Sequence, residues 1–229
     1  NKNNNIFFFT NYAILVYYFF SFLNLEKNRN KFAIALHSGV FNYNLKTILG
    51  IFLFSIFALR LDYIIFGSNS SKQWWLSFFP WFNKINNKII FNGVEKRNVK
   101  KRKKKIFKIS FIGRLEHEND PELFLNLYQI NKNKKNMQFN IFGDGSLKKK
   151  FQNKFAEVKF WGWSKQKKIY LNTDICVITS PINNFPYVAL ESNSYGIPVL
   201  TAARGDIRKI VKNNYSGYIL KERTVENAN

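Results

Sequence analysis

Between positions 107 and 214, short, mainly apolar runs alternate with stretches of helical spacing. The apolar runs 107–112, 138–142, 158–161, 175–179 and 198–202 predict strands. The stretches 121–130, 146–155, 165–171, 187–195 and 206–212 predict helices. In the first of these, Leu123, Leu127 and Ile130 share one face, and Pro121 suits the first turn, where its missing N–H costs little. Strands alternating with helices of about ten residues indicate βαβ units and a parallel sheet. Strands that are continuously apolar, not alternating, suit a sheet covered on both faces. Before position 95 the chain is more aromatic, with strand-like pieces at 32–36 and 63–66 and a helical run at 47–59.

A second apolar run, 12–23, and the run 47–59 are both shorter than the roughly 20 residues a spanning helix needs. They read as buried or interfacial helices. At the amino terminus no small-residue cleavage site follows the apolar run, so nothing there resembles a signal peptide. Positions 98–105 hold six Lys or Arg residues. Such a block repels itself and marks a solvated linker. The expected organisation is therefore 1–97, a linker at 98–105, and 106–229.

Composition narrows the chemistry. Lys plus Arg is 36 against 14 acids, a formal net charge of +22, which favours an anionic partner. The abundance of Asn, Lys, Ile and Phe has a second source, the codon bias of AT-rich genomes, and the two readings stay open. Cys176 is the single cysteine, inside an apolar run, so the chain carries no disulfide framework or cysteine metal site. With only His37 and His117 besides, a protein-built zinc site is not expected. The tryptophans, Trp74, Trp75 and Trp81 among them, read as packing or membrane-interface residues.

Gly113, Gly143, Gly145 and Gly162 fall at successive strand ends, where ligands bind in open parallel sheets. Four such glycines suggest a ligand approaching the backbone closely. The sharpest signal is 180–191, where a strand gives way to an Asn- and Pro-containing loop and a helix starts near Tyr187. A helix start offers free N–H groups and a positive dipole end, suited to a diphosphate. Glu191 lies about 6 Å further along the axis. A carboxylate there could accept hydrogen bonds from sugar hydroxyls.

These segments resemble the retaining GT-B-fold glycosyltransferases of the glycosyl transferases group 1 family. The resemblance runs through Gly113-Arg114-Leu115, Phe142-Gly143-Asp144-Gly145, Phe160-Trp161-Gly162 and Asn184-Phe185-Pro186-Tyr187-Val188-Ala189-Leu190-Glu191. It continues through Tyr195-Gly196-Ile197-Pro198-Val199 and Asn214-Tyr215-Ser216-Gly217-Tyr218. It implies an α/β, GT-B-like architecture: a Rossmann-like donor-binding domain, preceded by the remaining half of an acceptor-side domain whose start is missing.

The same resemblance implies the site. Arg114 would pair with the donor diphosphate, Glu191 would hold ribose hydroxyls, and His37 would lie at the acceptor side. Gly113, Gly143, Asp144, Gly145, Asn184, Phe185, Pro186, Tyr187 and Val188 would line the donor pocket. Two positions depart from the family: Asn119 stands where a lysine is usual, and Asn183 where the first of two glutamates eight apart is usual. The implied reaction moves a sugar, with retention, from a UDP- or GDP-sugar to a saccharide or lipid-linked acceptor in envelope or exopolysaccharide synthesis. No cofactor or metal is expected. The implied setting is cytoplasmic or peripheral on an anionic inner membrane face. The two departures keep open a degenerate remnant that binds a nucleotide sugar or membrane without turnover. Nucleic-acid binding rests on charge alone, with no recognisable motif.

Overall fold

The computed structural model describes residues 5–8, 31–36, 45–58, 61–97, 105–183 and 185–224. The chain divides into two units, Asn1–Asn92 and Gly93–Asn229. The apolar run 12–23, His37, Asn184 and the basic run 98–105, apart from Lys105, lie outside the described residues.

The first unit holds a parallel sheet ordered β1-β2-β3-β4: Asn5–Phe8, Lys31–Leu36, Tyr63–Phe66 and Asn86–Ile89. Helix α1 (Leu45–Phe57) lies between β2 and β3 in sequence, and α2 (Asn69–Phe78) follows β3. Ile34, Phe54, Ile64, Phe66, Trp75 and Phe82 form its core. Trp75 meets Phe54 edge-on at 5.5 Å and stacks on Phe82 at 6.0 Å. It is a packing residue, whereas Trp81 remains 37% exposed. The side chain of Ser68 caps α2 by accepting from Ser71 N, and Ser71 Oγ donates to Leu36 O, tying the helix to the end of β2. Helix α1 buries Phe54, with Ala58 buried just after it, but exposes Ile48, Leu49, Phe52 and Leu53. Among the described residues no helix is long and apolar enough to cross a membrane.

The second unit is a six-stranded parallel sheet ordered β10-β9-β8-β5-β6-β7. In chain order it runs β5 (Phe107–Ile112), α3 (Pro121–Asn131), β6 (Met137–Phe142), α4 (Lys148–Lys154), β7 (Lys159–Gly162), α5 (Gln166–Leu171), β8 (Ile175–Ile178), α6 (Tyr187–Ser194), β9 (Val199–Thr201) and β10 (Gly217–Ile219). Alternation along β8 sends Val177 into one core cluster, with Phe111, Phe124 and Phe139, and Cys176 and Ile178 into another, with Ala189 and Val199. Both faces of the sheet are thus covered. Cys176 is fully buried, and burial pushes its thiol up to about 12. It is a core residue, not a reactive one.

Two local expectations change. Helix α3 turns Phe124, Leu125, Leu127, Tyr128 and Asn131 inward, while Ile130 is 52% exposed. The larger aromatic residues decide the buried face. The helix predicted at 206–212 is only a short 3₁₀ segment, Asp206–Lys209. Ser216 Oγ donates to Ile210 O and accepts from Lys212 N, each at 2.9 Å, so a side chain takes backbone groups that a longer helix would pair.

From β5 the chain builds outward through β6 to β7, then crosses to β8 on the other side of β5. The carboxyl ends of β5 and β8 therefore mark the point where strand order reverses, the usual ligand crevice of such sheets. Beyond the strands the backbone stays paired. Gly113 N donates to Phe142 O at 2.9 Å, Leu115 N to Asp144 O at 2.9 Å, Leu147 N to Leu115 O at 3.1 Å, and Gly143 N to Gly162 O at 2.9 Å.

These contacts give two of the glycines a structural reason. A Cβ at Gly143 would lie 1.9 Å from Gly113 O, and one at Gly145 would lie 2.5 Å from Leu115 O. The neighbouring loop by itself leaves no room for a Cβ at either position. By contrast, a Cβ at Gly113 or Gly162 would meet nothing nearer than 3.5 Å.

Two stability predictions follow from this architecture. Gly143→Ala adds that clash to a positive-φ backbone (φ 138°) and is expected to lower unfolding free energy by about 3 kcal/mol or more. A urea midpoint equal to that of the unchanged chain would sink this account. Asp120 caps α3 from a left-handed conformation (φ 46°) by accepting from Leu123 N at 3.2 Å, and pairs with Arg223 at 2.9 Å. Asp120→Ala should cost about 1–2 kcal/mol in the same assay, and Asp120→Asn less, because Asn can both cap and adopt that conformation.

Candidate active site

The loop after β5 is clasped to the loop after β6. The Glu116 carboxylate accepts from Ser146 N at 2.8 Å and from Ser146 Oγ at 2.6 Å. The serine hydroxyl, then its amide, hold that carboxyl below its usual range. Asp144 accepts from Gly145 N at 2.9 Å and pairs with Lys148 at 2.7 Å. The lysine first, and the amide next, lower its carboxyl as well. Asp144 thus structures the turn that leads into α4.

Arg114 stands at the carboxyl end of β5, 73% exposed at its side chain, with its guanidinium 2.7 Å from Glu118. An exposed pair of this kind is weak and screened by salt, so the arginine can exchange a carboxylate for another anion. Asn119 has a local role. Its side-chain amide donates to Arg114 O at 2.9 Å, and its own carbonyl accepts from Thr179 Oγ1 at 2.7 Å. Thr179 follows β8, so this bond joins the ends of β5 and β8 across the switch point. His117, next to Arg114's partner in the 3₁₀ turn His117–Asn119, is exposed.

The loop after β8 is fixed to the segment after β9. Asn183 N donates to Arg204 O at 2.9 Å, and Arg204 N donates to Pro181 O at 3.0 Å. The Asn183 side chain donates to Ser180 Oγ. Phe185 holds φ at 124°, a conformation that costs a non-glycine residue about 1–3 kcal/mol and clusters at functional loops. Pro186 then precedes α6 without any side-chain cap. At the start of the helix Ala189 N donates to Pro186 O at 3.1 Å. The N–H groups of Tyr187 and Val188 precede it and have no acceptor within the helix.

One turn into α6, Glu191 Oε2 accepts from the hydroxyl of Tyr170 at 2.7 Å. Tyr170 comes from α5, is 3% exposed, and stacks on Tyr195 at 4.8 Å. Sequence reasoning missed it. The two residues are 21 positions apart on different helices, and nothing in local spacing links them.

The carboxyl edge of the sheet therefore gathers Gly113, Arg114, Asn119, Gly143, Asp144, Gly145, Asn183, Phe185, Pro186, Tyr187 and Val188, with Glu191 one turn behind. Among the described residues no cluster of His, Cys, Asp and Glu is placed to hold a metal ion.

Comparison with known proteins gives this arrangement a context. An uncharacterized 41.2 kDa protein of the cps region of Klebsiella pneumoniae is 24% identical over 185 residues, covering 74% of this chain and 51% of that protein. The chain thus spans about half the length of that curated relative. A Campylobacter jejuni α-1,4-N-acetyl-D-galactosaminyltransferase, named for an undecaprenol-diphosphate-linked GalNAc acceptor, is 27% identical over 120 residues, covering 49% of this chain and 33% of that one. The crystal structure of Anabaena HepE in complex with UDP superimposes with a TM-score of 0.74 at 17% identity, covering 98% of this chain and 67% of HepE. That likeness shows the fold, two parallel-sheet α/β units of the GT-B type. Residues 94–229 match the family model described as glycosyl transferases group 1, and the chain belongs to that family.

Proposed function

We propose that this chain carries the donor side of a glycosyltransferase that moves a sugar, with retention, from a nucleoside-diphosphate sugar to a saccharide or lipid-linked acceptor. The observation that carries the reading is the uncapped start of α6 at the switch point, with a carboxylate fixed one turn inside the helix. The donor diphosphate would lie against the N–H groups of Tyr187 and Val188, at the positive end of the helix dipole. Arg114 would leave Glu118 to take a phosphate oxygen. Glu191 would accept from the ribose hydroxyls. Gly113 and the Gly143–Gly145 backbone would wall the pocket.

As the bond to the sugar breaks, negative charge grows on the departing diphosphate. Fixed N–H donors and the guanidinium offset it without reorganising at that moment. The HepE complexes with UDP and with UDP-glucose support a uridine donor, and GDP is the second candidate. His37 is proposed for the acceptor side. The net charge of +22 supports an acceptor presented at an anionic membrane surface, with the protein peripheral on its cytoplasmic face.

The first test is thermal stabilisation by UDP, GDP and ADP. A ligand at 100 times its Kd adds about 2.7 kcal/mol to a folded binder. A shift selective for one nucleotide, and lost in Arg114→Ala and in Glu191→Ala, is the expected result. No shift from any of the three, in a sample with intact circular dichroism, would end the donor-site reading.

A second reading, a nucleotide-sugar binder without turnover, draws on a specific observation. Asn119 and Asn183 both spend their side-chain amides on neighbouring loop atoms, where the family usually has a lysine and a glutamate. The double change Asn119→Lys with Asn183→Glu discriminates the two. If the chain is degenerate, donor hydrolysis or transfer rises from baseline by tenfold or more. If the unchanged chain already turns over, the second reading falls.

A further inference from the structure

Tyr170 belongs to no recognised segment of the site, yet it is bonded to the residue on which ribose recognition is proposed to depend. It sits in α5, the crossover between β7 and β8, and that helix is pinned at its carboxyl end. Thr173 Oγ1 reaches Ile169 O and Ser110 Oγ, both at 2.9 Å, which fastens the end of α5 to the middle of β5. On the other side the phenol ring stacks on Tyr195, the residue that closes α6, with an interplanar angle of 22°. Tyr195 N in turn donates to Glu191 O at 3.1 Å. The ring therefore has little freedom, and its hydroxyl meets Glu191 Oε2 at 2.7 Å.

From this geometry we infer that Tyr170 is a positioning residue for nucleotide recognition: by holding Oε2 of Glu191 it fixes the carboxylate so that Oε1 faces the ribose hydroxyls. The inference rests on the proposed donor site. Glu191 is only partly buried, and a free glutamate side chain would sample several rotamers. A phenol suits the task better than a cation. It fixes one oxygen with a single neutral donor and leaves the carboxylate its full charge and its remaining lone pairs. Burial first, and the bond to Glu191 next, push the phenol well above the ordinary tyrosine range, so it stays a donor at every working pH.

The test uses the full chain and compares binding of UDP and GDP with binding of their 2′,3′-dideoxy counterparts by calorimetry. The unchanged chain should prefer the ribose form of its nucleotide by about tenfold or more, the value of hydrogen bonds to a charged acceptor. Tyr170→Phe keeps the ring and its stack. It is expected to erase most of that preference while leaving dideoxynucleotide affinity and the circular dichroism spectrum unchanged. Glu191→Ala should erase the preference too, and adding Tyr170→Phe to it should cost nothing further. Three results overturn the inference: full preference retained in Tyr170→Phe, equal weakening of both nucleotide forms, or additive loss in the double variant. If the unchanged chain binds nucleotide without ribose preference, the inference falls and the diphosphate site stands. If it binds neither nucleotide, both fall together.

Discussion

The candidate site depends on main chain packed directly against main chain. The turn after β6 lies so close to the turn after β5 that no Cβ fits at Gly143 or Gly145. Three backbone hydrogen bonds continue the β5–β6 pairing past the ends of the strands, and Glu116 fastens the two loops through both polar groups of Ser146. Everything further along the edge is hung from this pair of loops. Asn119 joins the β5 loop to Thr179, the segment around Asn183 joins Arg204, and the strained Phe185 delivers the chain to the start of α6. A rigid edge of this kind holds donors in place before a ligand arrives, which is what electrostatic stabilisation of a leaving group requires.

Charge along that edge is largely paired off. The loops carry four carboxylates, and each is engaged: Glu116 by Ser146, Asp144 by Lys148 and Gly145, Glu118 by Arg114, and Asp120 by Leu123 N and Arg223. The uncapped helix start adds N–H groups with no acceptor of their own in the helix. The pair between Arg114 and Glu118 is solvent-exposed, hence cheap to open, so the guanidinium is held near the crevice without being consumed. Asn119 and Asn183 contribute no charge. Their amides close loops instead. In this chain the usual family positions for a second cation and a first carboxylate have become parts of the scaffold. In the proposed function, Arg114 and the helix start are then the groups left to face the diphosphate.

By itself the sequence determined the alternation of strand and helix in the second unit and the identity of the carboxyl-end loops. The reason is physical: β8 contributes to the cores on both faces and reads Ile-Cys-Val-Ile, β5 and β6 send alternate apolar residues such as Ile109, Phe111, Phe139 and Ile141 into one core, and turns follow at short intervals. Elements held mainly by tertiary contacts were not legible. Helix α2 opens with a Ser- and Asn-rich turn, and it forms where Ser68 caps it and Trp75 finds Phe54 and Phe82. Strand β4 begins Asn-Asn-Lys, a poor strand sequence that becomes one by pairing with β3. Ile130, placed on the apolar face by spacing, lost that place to Phe124 and Tyr128.

The site divides in the same way. The start of α6 and Glu191 were readable because local chemistry marks them, a loop and then a helix start, whereas Arg114 was marked by the family resemblance. Only the tertiary structure decided why Gly143 and Gly145 are glycines, that Asn119 and Asn183 serve their own loops, and that Tyr170 grips Glu191. Local pattern encodes what a segment is, because propensity and burial act on neighbours along the chain. Which atoms meet across 21 or 60 positions is set by how the sheet brings strand ends together, and no local spacing records it.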